Sequence, residues 1–387
     1  NAIGMSGLLV KSTLVMKENL ELMSTKGMDI PVICGGAALN RAYVDVDLSN
    51  AYTSGKVFYG ADAFTGLQIM EELTGNTAEK KLTGQKDEKS VRHGEMRAER
   101  EARIHEASRE YVDSGIIPAE NIPTPPFWGV KHISSESLDL KEIFTFINKK
   151  ALYANQWMYR RGKRSTVEFQ EFLKNHVEPL FNGWCQKVLE RGWIEPKVAY
   201  GYFPCQSDKN DLIVYEPQDH GKIACRISFP RQIADKRRCI SDYFTTVESG
   251  RMDVVAFHVV TAGSKASEIC QELFKSDQYT DYLHFYGISV ETAEALAEFW
   301  HKKIRQELGI AGKDGATNEA LFRQTYHGER YSFGYPACPN LEDQKHIFKL
   351  LNPEKIGVTL SSEYQLAPEQ STSAIIVHHP DACYYSI

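Results

Sequence analysis

Between Asn76 and Glu110 the chain has almost nothing to bury: Lys, Arg and Glu dominate, with Met96 and Ile104 among the few apolar positions. A run in which both signs of charge are interspersed cannot offer a face to a core, so it reads as a solvated helix or connector. The 387 residues are therefore divided, and each flank has to close a core of its own. Just beyond, Asn121-Ile122-Pro123-Thr124-Pro125-Pro126-Phe127-Trp128-Gly129 is proline-rich and extended, a semi-rigid lead-in to the second domain. The expected organisation is a first domain over 1–75, a charged helical linker over 76–121 and a second domain over 122–387. Proteolysis is expected to fall within 77–109.

The first flank alternates. Ala2–Val10 is a short apolar segment with small residues, as in a buried parallel strand. Leu14, Val15, Met16, Leu20, Leu22 and Met23 then follow a helical pattern that Gly27 can end. Ile30–Cys34 is a second strand broken by Gly35-Gly36, an amphipathic stretch runs to Tyr52, and Lys56–Tyr59 and Ala63–Leu73 repeat the strand and helix. This order predicts a partial, flavodoxin-like doubly wound α/β sheet, in which ligands bind beyond the carboxyl ends of the strands. Ser6-Gly7, Gly35-Gly36 and Ala61-Asp62-Ala63 fall there.

The second flank has strands and helices in runs, which points to an α+β domain. Helices are expected over Leu140–Tyr153, over Val167–Arg191 ending at Gly192, and over Thr280–Gln306. The last has Leu283, Phe285, Ala293, Leu296, Ala297, Trp300 and Ile304 on its apolar face. Lys197–Phe203 and Leu212–Glu216 read as paired strands joined by Ser207-Asp208-Lys209-Asn210, and Met252–Thr261 as a buried strand.

Composition narrows the function. Hydrophobic residues at 42% and charged ones at 25% describe a soluble globular chain. A net charge of −6 argues against a nucleic-acid partner. No apolar run reaches the roughly 18 residues of a membrane helix, and no signal peptide opens the chain. Eight dispersed cysteines without a Cys-x-x-Cys pair suit reduced thiols in a cytoplasm better than disulfides or structural zinc. The chain begins at Asn1, inside an apolar run, and reads as a piece of something longer.

Near the C-terminus, Glu329-Arg330-Tyr331-Ser332-Phe333-Gly334-Tyr335-Pro336-Ala337-Cys338-Pro339 is a stiffened loop, with prolines flanking Ala337-Cys338 and a glycine where backbone could approach a ligand. Arg330 carries the planar fork that grips a carboxylate through two parallel hydrogen bonds. The run Arg-x-x-x-Gly-Tyr-Pro-Ala-Cys-Pro resembles the signature of the S-adenosylmethionine-binding activation domain of cobalamin-dependent methionine synthases. His378-His379-Pro380-Asp381-Ala382-Cys383-Tyr384-Tyr385 resembles that family's His-Pro-Asp-x-x-Tyr-Tyr ending. The N-terminal Ser-Gly-Leu, Ile-Pro-Val-x-x-Gly-Gly-Ala and Asp-Ala elements resemble the family's cobalamin-binding domain, in the same order. Its Asp-x-His-x-x-Gly motif, which supplies the cobalt-ligating histidine, is expected upstream of Asn1.

The resemblance implies that Ser6, Gly35, Gly36, Asp62 and Ala63 hold the cobalamin tail. Val10 stands where the family often has a hydroxyl residue. It also implies that Arg330 meets the carboxylate of S-adenosylmethionine and Glu294 its sulfonium, with Tyr335, Tyr384 and Tyr385 as aromatic and hydroxyl partners. Asn148 stands where the family has an aspartate for the ligand's ammonium, and Gln324 where it often has a glutamate; both changes remove a negative charge. The adjacent His378 and His379 should point to opposite faces and are read as structural. No side-chain nucleophile arrangement is visible, and none is required when cob(I)alamin is the nucleophile. The implied activity is reductive reactivation: cob(II)alamin takes an electron from a flavodoxin-like or other flavoprotein, and S-adenosylmethionine methylates the resulting cob(I)alamin to methylcobalamin. The remaining methionine synthase domains, including the zinc-bearing part, would be partners outside this chain. A second reading is a non-catalytic module that holds S-adenosylmethionine or docks an electron donor.

Overall fold

The computed structural model describes residues 2–7, 10–36, 39–41, 43–61, 63–74, 106–315 and 317–386. They belong to two compact units, Asn1–Glu106 and Ala107–Ile387. Asp62 and positions 76–105 of the expected linker lie outside the described residues.

In the first unit, β1 (Ile3–Ser6), β2 (Val32–Gly35) and β3 (Val57–Gly60) form a parallel sheet in the order β1-β2-β3. Helix α1 (Val10–Thr25) joins the first two strands; Tyr43–Leu48, a stretch of wider π-type turns, runs into Ser49–Ala51 before the third. Met16, Leu20, Val44 and Leu48 from these connections pack with Val32 and Cys34 of the sheet. Alternation along a strand sends Ile33 and Gly35 to the other face. There a side chain at Gly60 would meet Ile33 Cγ2 and approach Gly66 Cα of helix α2 (Ala63–Thr74). Three parallel strands in consecutive order contain no strand-order reversal, so the observed arrangement is a mixed α/β one with helices on both faces. At the carboxyl ends Gly7 N–H donates to Gly35 O at 2.9 Å, and Gly36 has φ +111° with Gly7 backbone where a Cβ would stand. Only glycine fits there.

The second unit is built on a seven-stranded antiparallel sheet. β4 (Gly129–Ile133) and β6 (Asp211–Glu216) pair with successive halves of one edge of β5 (Lys197–Asp208). Beyond β6 lies β7 (Asp219–Ser228). Along its other edge β5 pairs with β8 (Asp253–Thr261), all nine residues of which are buried. After that come β12 (Ser371–Val377) and the edge strand β9 (Glu329–Ser332). A separate two-stranded ribbon, β10 (Thr359–Leu360) with β11 (Leu366–Ala367), precedes β12 in the chain. The expected turn after β5 is tight, with Lys209 at φ +57° and Arg226 clasping Asp208 and Asp211 at 3.0 and 2.8 Å.

Two cores sandwich this sheet. On one face α7 (Tyr279–Glu307) packs Phe285, Ile288, Leu296, Trp300 and Ile304 on Val198, Val254, Ala256 and Ile376, beside α5 (Glu178–Arg191) and α6 (Ser264–Lys275). The short helix α8 (Asn318–Phe322) adds Leu321 to the same core. The other face collects Phe203, Phe257, Tyr331, Ile375 and Tyr385 under α9 (Gln344–Leu351). The expected helix to Arg191 begins at Thr166 (α4, Thr166–Phe172), passes through the wide turn Leu173–Val177 and stops at left-handed Gly192. Of the expected apolar face of α7, Leu283 is the member left exposed.

Two expectations change. Leu140–Tyr153 is not one helix: α3 (Leu140–Phe144) ends, and Asn148 starts a fresh turn by accepting from Ala151 N at 3.3 Å, because Asn competes with helix continuation and favours caps. Nor is all of 76–121 a free linker. Ser108 O accepts from Arg231 N, Arg109 O from Asn210 Nδ2 and Glu120 O from Arg251, which ties this stretch to the second unit. Among the described residues no helix is long and apolar enough to cross a membrane.

Candidate ligand-binding site

A cleft of ≈ 320 Å³ opens between α7, α8, the turn at Asn148 and the edge strand β9. Strand alternation places it. Tyr331 goes to the far core with its partner Ile375, while Arg330, opposite Ile376, faces α7. On α7, Glu291, Glu294 and Glu298 recur at helical spacing along the same stripe and all line the cleft. Arg330 Nη1 lies 3.8 Å from Glu294 Oε2, and its Nη2 lies 3.8 Å from Glu298 Oε2. Both are beyond hydrogen-bond range, so the pairing is Coulombic and the fork is not closed. Arg330 Nη1 and Glu298 Oε1 are buried without a hydrogen-bond partner.

The loop after β9 holds its shape by backbone bonds. Gly334, at φ +89°, donates to Cys338 O at 2.8 Å, and Cys338 N donates back to Tyr335 O at 2.8 Å. Ala337 and Cys338 are packed in the far core, which leaves Tyr335 42% exposed at the tip. Tyr335 lies within electrostatic reach of Glu294, Arg330, Tyr384 and Glu291.

Burial dominates the electrostatics. It pushes Glu291 and Glu329 up to about 7, helped at Glu291 by neighbouring Glu294 and opposed at Glu329 by the Arg330 N–H and charge. Glu298 is raised by burial against the pull of Arg330 and Arg305. Behind the cleft His258 and His301 are driven well below the usual histidine value by burial and by the adjacent arginines, so both are neutral near pH 7.

The structure brings Asn148, Glu294, Gln324 and Arg330 to one lining, although they lie far apart in sequence. Tyr335 and Tyr384 stand near it without lining it, the latter within electrostatic reach of Glu329. Tyr385 is not brought in. Its side chain is 5% exposed in the far core beside Tyr331, because the tail passes under that face of the sheet. His378 bonds Asp253 at 2.6 Å in the interior, and His379 bonds Ile117 O at 2.8 Å in a separate, part-buried contact. In the first unit Ser6, Gly35 and Gly36 share the carboxyl end of the sheet, and Ala63 begins α2.

Sequence reasoning missed Glu291, Glu298, Glu329 and Tyr326. Tyr326 lies with its ring 4.3 Å from the Arg305 guanidinium and 5.0 Å from His301, and its hydroxyl reaches Glu329 at 3.3 Å. The signal for two of the acids was present: Glu291 and Glu298 sit at −3 and +4 from Glu294 on a strongly expected helix.

Residues 139–387 match the family described as vitamin B12 dependent methionine synthase, activation domain. This chain belongs to that family. Over its whole length it is also 39% identical to the methionine synthase of Mycobacterium tuberculosis (strain ATCC 25618 / H37Rv) and 38% to that of Mycobacterium leprae (strain TN). It spans about a third (34%) of the length of those relatives. The fold of the activation domain agrees with a crystal structure of the MetH reactivation domain bound to AdoHcy, with a TM-score of 0.62 at 22% identity over 73% of this chain and 88% of that one.

Proposed function

We propose that the cleft of this activation domain binds S-adenosylmethionine and presents its methyl group during reductive reactivation of a B12-dependent methionine synthase. The observation that carries this reading is Arg330, a cleft-lining guanidinium whose Nη1 has no hydrogen-bond partner and whose acidic neighbours stand too far off to close its fork. An amino-acid carboxylate would complete that fork. The acids along α7 supply the negative surroundings that a sulfonium and an ammonium need, and Tyr335 and Tyr384 add aromatic faces at the rim. The AdoHcy held by the solved relative is the product such a donor leaves.

The first unit is read as the later part of a doubly wound cobalamin-binding domain, since α1 and α2 lie on opposite faces of its sheet. Ser6, Gly35, Gly36 and Ala63, at the carboxyl ends of parallel strands, fit the tail of that cofactor, with Asp62 beside them in sequence. Cobalamin, when bound, supplies the reduced cobalt that accepts the methyl group. What this chain contributes is alignment: Arg330 fixes one end of the donor, and the acids of α7 hold its charge without taking a proton from it. A flavoprotein electron donor, the remaining synthase domains and a cytoplasmic setting complete the proposal.

Calorimetric titration tests it. S-adenosylmethionine should bind the parent, and Arg330→Ala should weaken it roughly ten- to hundredfold, the worth of a charged hydrogen-bonded pair. Arg330→Lys should recover part of the loss. Unchanged affinity in Arg330→Ala would remove the cleft from the reading.

A further inference from the structure

Asn148 and Glu291 line the cleft together but offer a ligand opposite things. The Asn148 side-chain oxygen is engaged in capping, accepting from Ala151 N at 3.3 Å. The other group of that amide is a donor, which cannot accept from a cation. Glu291 is 7% exposed, and its hydrogen bond is a long one, 3.4 Å from Gln156 Nε2. Gln156 reaches it because Gly287, one turn earlier on α7, leaves room: a Cβ there would lie 2.9 Å from Gln156 Cβ and from Trp157 Nε1.

Among the described residues Glu291 makes no ion pair, whereas Glu294 and Glu298 share Arg330. Burial and Glu294 raise its carboxyl to about 7, as befits a buried acid that has not met a cation. A buried carboxylate is ordinarily paired. This one faces the cleft.

Glu291 lies one helical turn, about 5 Å, from Glu294 towards the start of α7, on the side of the Asn148–Gln156 segment. In an amino-acid ligand the ammonium and carboxylate share one carbon. A ligand whose carboxylate closes the Arg330 fork therefore carries its ammonium only a short step from this row of acids. We infer that Glu291 is the residue that recognises the α-ammonium of the ligand and selects amino-acid-bearing nucleosides over their deaminated analogues. Asn148 is then a capping residue that shapes that end of the cleft, and the negative charge it lacks is supplied from α7.

This inference rests on the proposed S-adenosyl ligand, and the test separates the two. S-adenosylhomocysteine and its deaminated analogue, with hydrogen in place of the α-amino group, are titrated calorimetrically into the full chain and into Glu291→Gln and Glu291→Asp. Parent protein should prefer the amino-bearing ligand at least tenfold, as expected for a charged hydrogen-bonded contact. Glu291→Gln should lose most of that preference by weakening the amino-bearing ligand alone, while the deaminated analogue changes less than about twofold. Glu291→Asp, which keeps the charge, should retain part of it. An undiminished preference in Glu291→Gln would overturn the role of Glu291 and leave the ligand reading intact. Failure of the parent to bind either nucleoside would overturn both. A matching loss for both ligands would assign Glu291 a structural role and also overturn the inference.

Discussion

Two arginines of the second unit are used in opposite ways. Arg231 is wholly buried, and its donors are consumed: Nη1 and Nη2 each meet Asp242 at 2.6 Å, Nη1 also meets Arg237 O at 2.7 Å, and Nε meets Asn210 at 2.9 Å. Arg330 keeps 16% of its side chain exposed, stands 3.8 Å from each of two acids and leaves Nη1 without a hydrogen bond. A guanidinium that holds a fold together is saturated by its own chain, because a buried unpaired donor is costly. One that tolerates an open fork beside a cleft is placed for something from outside.

The largest effect should come from breaking the saturated knot. Arg231→Ala leaves Asp242 buried without its cation and should cost about 3–5 kcal/mol in urea unfolding, while the folded fraction keeps its S-adenosylmethionine affinity. Arg330→Ala should do the reverse, costing affinity while stability moves by less than about 1 kcal/mol. If both variants lost stability equally, the contrast between the two arginines would be void.

The acids around Arg330 sharpen the comparison through pH. Glu291 and Glu329 have carboxyls raised from 4.5 to about 7, so the folded chain holds protons that the unfolded chain has already released. Their contribution to stability is full below about pH 4.5 and is lost as pH rises through about 7. Stability measured by urea should therefore fall between about pH 4.5 and 7 and level off above that. Glu291→Gln should reduce that fall by an amount of the order of 1–3 kcal/mol. An equal fall in parent and variant would show that Glu291 already has a cation in the fold.

The smallest effect belongs to the tail. Tyr385 is buried in the far core with an unpartnered hydroxyl, so Tyr385→Phe should change ligand affinity by less than about twofold and stability by no more than ~0.5 kcal/mol. Tyr384→Phe, at the exposed neighbour, is the informative partner in the same titration. A larger loss of affinity from Tyr385→Phe than from Tyr384→Phe would reverse the assignment of the two tyrosines.

Much of the architecture was legible in the chain. Val and Phe content marked β8, the polar turn at Lys209 marked the hairpin of β5 and β6, and 3.6-residue periodicity marked α7 almost to its ends. These are local signals, written in propensity and period. Arg330, Glu294, Asn148 and Gln324 were each visible as candidates through short motifs and resemblance. What sequence periodicity could not show is that Glu291 and Glu298 line one cleft with Arg330, or that Tyr385 turns into the far core while Tyr384 stays exposed. Those outcomes depend on which way β9 faces in the sheet, and a shift of one residue in its register against β12 would exchange Arg330 for Tyr331. The sequence by itself determined the longest elements, their order and the stiff loop at Gly334. The tertiary structure alone decided which side chains meet, because pairing and burial act between residues far apart in the chain, where no local pattern reaches.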